Sequence, residues 1–335
     1  MSGNRVPYHL RTNKYVERQV FMDIIDFVRV WNGPKQYTYA SMGGQFLEDF
    51  KSVYDRFGFE ALVSVEQNEV TWKRQLFNLP LGFIDCQNKT SGEFVEQYES
   101  LIEQAEGTQV IVWLDFAEAN NRGVQLQEYQ SLVERLIPGD IVKVTLNANP
   151  QSKKQRYKYP SNEDFEVVAI NSLRKELGND YTPNEINSND LKPKAFAKLL
   201  AGSIKTAALR GIEGASDNGI LPLGSYRYSD GEHQMLTVTA LVTNDELQEK
   251  LESDEAFLDW PLRSTAWDDV HNIRVPSLSQ KERQFINERI GKKQPHEIHS
   301  EMPFWLEDEE HDSQALLRDY VAHYRRYPSF GRVYV

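Results

Sequence analysis

The side chains best suited to chemistry in this chain recur in one position: Glu66, Asp85, Asp115 and Asn147 each close a short β-rich run. Carboxylates and amides at strand ends can orient the hydroxyls of a ligand or exchange a proton with it. Ahead of Glu66 lies Ser41-Met42-Gly43-Gly44, where missing Cβ atoms let the backbone turn sharply and approach a ligand closely. Glu66 follows that turn by about 20 residues, the spacing at which dinucleotide-type sheets hydrogen-bond the two ribose hydroxyls of an adenosine cofactor. Asp85, with Asn88 just behind it, suits the edge of an adenine and reads equally as a plain turn. Asp115 reads either as a group that orients or deprotonates a bound molecule, or as the N-cap of the helix that follows.

Other chemistries are poorly supplied. A single cysteine, Cys86, allows neither an intramolecular disulfide nor a cysteine metal cage, and no G-x-S-x-G elbow occurs. The seven histidines form no H-x-x-x-H array, and His296-Glu297-Ile298-His299 reads as exposed loop. Asp115 and Asn147 could touch a magnesium ion, but the further carboxylate is misplaced because Asp140 starts the fifth strand instead of ending it. The sequence therefore implies no metal site.

The elements that must position these groups follow from hydrophobic period. Residues 14 to 30 place Val16, Val20, Ile24, Phe27 and Val28 on one helix face, and Gly33-Pro34 breaks that helix before the first strand. Phe46, Phe50, Val53 and Phe57 define a helix after the glycine turn, and Ala61 to Val65 a second strand. A short third strand is expected over Gly82 to Asp85, a helix over 92 to 105 and a helix over about 124 to 136. Val110 to Leu114 is continuously apolar, as in a parallel strand covered on both faces, and Ile141 to Leu146 forms a fifth strand. Strands alternating with helices predict a doubly wound α/β sheet with its ligands over the strand carboxyl ends. Residues 151–218 turn basic and then polar, with helices near 164–177 and 194–209, and read as a helical insertion or lid. Two β-rich runs flanking Ser229-Asp230-Gly231-Glu232 predict an antiparallel hairpin over 219–245, and 246–335 reads as a helical extension.

A parallel sheet finished by an antiparallel hairpin is the layout of S-adenosylmethionine-dependent methyltransferases. The turn at Ser41 to Gly44, Glu66, WLDF at 113 to 116 and PGDIVKVTLN at 138 to 147 resemble that superfamily. LRTNKYVERQVF at 10 to 21 and AWDDVHNIRVPSLSQKERQFINERI at 266 to 290 are similar to bacterial stand-alone O-methyltransferases, themselves distantly similar to three-Cys-motif partner proteins. The resemblance implies a mostly parallel seven-stranded Rossmann-like sheet, with a helical segment over 1–34, the cofactor-binding half over 35–150 and S-adenosylmethionine as cofactor. Ser41, Met42, Gly43, Gly44, Glu66, Asp85 and Asn88 would then hold that cofactor, and Asp115 would stand beside the transferred methyl to orient or deprotonate an oxygen or nitrogen acceptor. Neither a DPPY motif nor a cysteine nucleophile motif is present, so a non-catalytic sensor or partner-binding protein of a bacterial defence or toxin system is the competing reading.

The formal charge of −12 repels nucleic acid at long range. Bases still cluster locally, at Arg5, Arg11, Lys14 and Arg18 and again at Lys192, Lys194, Lys198, Lys205 and Arg210, both read as solvated faces. The run Lys153-Lys154-Gln155-Arg156-Tyr157-Lys158-Tyr159 follows the fifth strand and should border the acceptor. Asn147, Lys153, Arg156 and Tyr157 are thus the expected substrate contacts, for an acceptor that is a small molecule, a protein or an RNA. No segment reaches the roughly 18 apolar residues of a spanning helix, and the N-terminus lacks a signal core, so a cytoplasmic protein without a membrane partner is expected. The Tyr- and Arg-rich end, YVAHYRRYPSFGRVYV, packs on its own domain or mediates self-association.

Overall fold

Val110, Val112 and Leu114 pack into one helical layer, whereas Ile111 and Trp113 of the same strand pack into the other. A strand buried on both faces belongs at the centre of a doubly wound sheet. The computed structural model places it there, and the structure describes residues 11–103, 109–150, 162–214, 218–231 and 233–328.

The elements run α1 (Thr12–Asn32), β1 (Tyr37–Ser41), α2 (Glu48–Phe57), β2 (Ala61–Val65), α3 (Glu69–Asn78), β3 (Ile84–Gln87), α4 (Ser91–Glu96) and α5 (Tyr98–Glu103). They continue with β4 (Gln109–Asp115), α6 (Arg122–Val133), β5 (Ile141–Asn147), α7 (Asn162–Tyr181), α8 (Pro193–Ile212), β6 (Gly219–Asp230) and β7 (His233–Thr243). The last part holds α9 (Asp245–Ser253), α10 (Glu255–Leu258), β8 (Val270–Ile273), α11 (Gln280–Asn287), α12 (Pro295–Ser300) and α13 (Glu310–His323).

The sheet order is β3-β2-β1-β4-β5-β7-β6-β8. Strands β1 to β5 are parallel, and β7 runs antiparallel between β5 and β6, so the expected hairpin is part of the main sheet. Because β6 is antiparallel to β7, its carboxyl end returns to the same rim as those of β1, β4 and β5. The first departure from the sequence reading is the strand count, which is eight among the described residues and not seven. The added β8 pairs parallel with β6, and at four residues it is too short to show an alternating pattern. The third strand also ends at Gln87, so Asp85 is its second residue rather than its carboxyl end.

The helical layers depart from expectation in one place. Ala197, Leu200, Ala201, Ile204, Ala207 and Ala208 of α8 are fully buried in the same core cluster as α6 and β7. Helix α8 is therefore a layer of the sheet domain and not a lid. The polar stretch ahead of it suggested an excursion, while the small apolar residues of α8 itself allow close packing. On the opposite face, Val16, Val20, Ile24 and Val28 of α1 are fully buried and Phe27 is partly so. The C-terminal helices close this second layer, with Tyr327 donating to the Pro276 carbonyl at 2.9 Å and Arg326 meeting Asp23 at 2.5 Å.

Candidate functional site

The glycine turn is built by close approach of three elements. A Cβ on Gly43 would stand 2.3 Å from Ser64 Oγ of β2, 2.7 Å from Leu47 Cδ2 and 2.9 Å from Phe50 Cε2 of α2. Only glycine lets the chain leave β1 this tightly. Ser41 is buried, Met42 packs on the α6–α8 core, and the Gly44 carbonyl accepts from Gln75 Nε2 at 3.3 Å. Helix α2 begins late, after Leu47 at φ 51°, and no side chain caps it.

Glu66 follows β2 directly, its N–H bonded to the Gln87 carbonyl at 3.0 Å. Asn88 Nδ2 donates to the Glu66 carbonyl at 2.7 Å, which locks the ends of β2 and β3 together. Glu66 Oε1 accepts from the Asn68 N–H at 2.8 Å. Partial burial outweighs that bond and pushes the Glu66 carboxyl pKa up. Asp85 is exposed and receives both of its hydrogen bonds, at 2.9 and 2.7 Å, from Gln87 Nε2. The strand's true end presents Gln87 and Asn88 to the rim, with Asp85 set back from it.

Asp115 is the last residue of β4. The helix after it starts at Arg122 with Asn121 at the N-cap position, so Asp115 caps nothing there. Its carboxylate lies 3.7 Å from Lys14 Nζ and 3.6 Å from Arg18 Nη2, with 14% of the side chain exposed. Burial alone would push the carboxyl pKa up, but the Lys14 and Arg18 cations outweigh it and hold Asp115 below the usual carboxylate range. Burial lowers Lys14 to about 8, against the opposing pull of Asp115.

Lys14 and Arg18 are therefore not the solvated face that the sequence suggested. Both are buried, and Arg18 also pairs with Asp49 of α2 at 2.7 Å and covers the Trp113 ring at 4.6 Å. Beneath them Lys143 of β5 pairs with Glu17 at 2.6 Å and lies 3.7 Å from the centre of the Trp113 ring. One signal pointed here, a lysine inside the fully buried, largely apolar run of β5, since a buried cation requires a partner. The second basic cluster, Lys192 to Arg210, is exposed as expected.

Asn147 faces its own scaffold. Its Nδ2 donates to the Ala117 carbonyl at 3.1 Å and its Oδ1 accepts from the Asn149 N–H at 3.0 Å. Arg122 reinforces this corner through the Asn147 carbonyl at 2.7 Å and the Asn149 carbonyl at 3.0 Å. The structure thus joins the exits of β4 and β5 through Asn147. Lys153, Arg156 and Tyr157 lie outside the described residues. His299 belongs to helix α12, not to a loop, and is buried against Ser313 Oγ at 2.9 Å. Among the described residues no group of three or more His, Cys, Asp or Glu is placed to hold a metal, and no helix is long and apolar enough to cross a membrane.

A doubly wound sheet closed by an antiparallel hairpin, with a tight glycine turn, an acid after β2 and another at the end of β4, defines a Rossmann-like α/β protein of the methyltransferase type. The chain belongs to the family described as "Putative O-methyltransferase", whose model it matches over residues 6–335. No curated protein matches it. Solved structures similar to it include LepI in complex with SAH and a substrate analogue, at 12% identity and a TM-score of 0.32, over 64% of this chain and 46% of that one. This chain thus spans about half the length of LepI. A SAM-dependent methyltransferase from Anabaena variabilis matches at 12% identity and TM-score 0.35, over 68% and 86% of the two chains. The plantazolicin methyltransferase BpumL with SAH matches at 8% identity and TM-score 0.38, over 72% and 88%. At these values the likenesses carry no argument about chemistry.

Proposed function

We propose that the protein transfers a methyl group from S-adenosylmethionine to an oxygen or nitrogen of an acceptor held beside Asp115. The observation that carries this reading is the placement of the Gly43 turn, the Glu66–Asn88 junction and Asp115 on neighbouring strand ends of one rim. The start of α2 favours this donor over a dinucleotide. Glu48 occupies its first turn, where a diphosphate bound by the helix N-terminus would meet an added carboxylate, while Asp49 is already paired with Arg18. Membership of an O-methyltransferase family favours oxygen over nitrogen as the acceptor.

When bound, S-adenosylmethionine supplies an electrophilic methyl on a sulfonium, so the protein's task is alignment, exclusion of water and handling of one proton. Glu66 Oε2 accepts from a ribose hydroxyl. Asn88 keeps Glu66 in place through its backbone and does not itself reach the ligand with its amide donors. Asp115 stays ionised at neutral pH and accepts a hydrogen bond from the acceptor's O–H or N–H. Its depressed pKa makes it an orienting group and a weak base. Asp115 takes the released proton and passes it to solvent, and the Lys14 ammonium 3.7 Å away returns the carboxylate to its ionised form.

The test is transfer of a trideuteromethyl label from the donor into fractions of bacterial cell extract. Label should appear in one acceptor fraction together with S-adenosylhomocysteine, and Asp115→Ala should lower the rate by about 100-fold. Tight donor binding with no label transferred in any fraction would overturn catalysis and leave a cofactor-binding, partner-binding protein.

A further inference from the structure

A cavity of about 550 Å³ opens where β6 and β8 end, lined in part by Asn13, Arg227, Ser229, Asn272, Arg274 and Glu307. Its volume suits a small organic molecule. Strand β8 is parallel to β6, so the cavity lies on the rim that carries Asp115. The first turn of α1 borders both places: Asn13 lines the cavity, and its neighbour Lys14 meets Asp115.

The two arginines of the cavity differ in one respect. Arg274 is paired with Glu307, and their charges cancel. Arg227 is half-buried, and among the described residues no carboxylate lies within ion-pairing reach of it. Among the described residues its one side-chain hydrogen bond runs from Nη1 to Gln234 Oε1 at 3.1 Å. Gln234 is held in turn by the Ala148 and Pro193 carbonyls, each at 2.8 Å. This fixes one arm of the guanidinium in a side chain that lines the cavity, and among the described residues the rest of its fork has no protein partner. A guanidinium drawn partly out of water without a counter-ion is costly, and a planar oxyanion binding two of its N–H groups removes that cost.

Building on the methyltransferase reading above, we propose that this cavity is the oxyanion subsite of the acceptor. Arg227 binds a carboxylate or phosphate group there and thereby directs the acceptor's nucleophile along the rim toward Asp115. The Arg227–Gln234–Ala148 chain ties the subsite to the exit of β5, so anion binding and acceptor alignment share one scaffold.

The experiment is calorimetric titration of the full chain with inorganic phosphate and with succinate in low-salt buffer, with and without S-adenosylhomocysteine. One of the two probes should saturate the protein, phosphate marking a phosphorylated acceptor and succinate a carboxylate-bearing one. Arg227→Gln should weaken that binding by about tenfold or more, and Arg227→Lys should recover part of it, with affinity for S-adenosylhomocysteine unchanged in both. Failure of both probes, or equal binding to wild type and Arg227→Gln, would overturn the subsite. Absence of S-adenosylhomocysteine binding would instead count against the methyl-transfer reading, so the two failures are distinct.

Discussion

Lys143 Nζ lies 2.6 Å from Glu17 Oε1, and neither side chain is more than 1% exposed. The pair ties α1 to β5 directly beneath Asp115, in a place that Phe21 and Trp113 close to water. Losing one member strands the other charge in that environment. Lys143→Met should destabilise the protein by about 3–5 kcal/mol, whereas adding Glu17→Gln should restore much of the loss. Denaturant unfolding of the two single variants and the double variant checks this. Additive losses would show that the two charges are not coupled.

Lys14 should titrate near 8 in the folded protein, well below its ordinary 10.5. Burial is the main cause, and Asp115 is the largest force against it. Asp115→Asn should therefore move the midpoint lower still. Since the folded pKa lies below the unfolded one, the unfolded chain binds the proton more tightly between about 8 and 10.5, and this group adds stability as pH rises through that window. Carbon-13 NMR of labelled lysine Cε reads the midpoint directly. A value at 10.5, or no movement in the Asp115 variant, would contradict the coupling of Lys14 to Asp115.

Gly43→Ala should cost about 1–3 kcal/mol, because the new methyl has nowhere to go between Ser64, Leu47 and Phe50. The displaced turn should also weaken S-adenosylhomocysteine binding. Pairing it with Ser64→Ala, which removes the atom nearest the added methyl, should recover part of both losses. Thermal unfolding and calorimetry on the same samples test whether they move together.

How much of this was legible follows from how local each signal was. The parallel core showed in Val110 to Leu114, and the turn, Glu66 and the hairpin showed because each is a contiguous pattern. Strand β8 did not show, since four residues at a sheet edge carry no period. Lys14, Glu17 and Arg18 were hidden for a different reason: on a helix written as a line, charges look solvated, and only the fold brings them under Asp115 and against Lys143. Asn147 was found at the right strand end, but its amide is spent on the Ala117 and Asn149 backbone, a use that no spacing reveals. Asp85 was misread by a strand boundary two residues too early.

The most direct test of the account is isothermal titration of wild type and Glu66→Ala with S-adenosylmethionine, S-adenosylhomocysteine and NAD. The half-buried Glu66 carboxylate is proposed to accept from a ribose hydroxyl, and on that reading its loss should weaken both adenosyl ligands by about tenfold or more, while NAD binds neither protein measurably. NAD binding as tight as that of S-adenosylmethionine, or adenosyl affinity unchanged in Glu66→Ala, would contradict it.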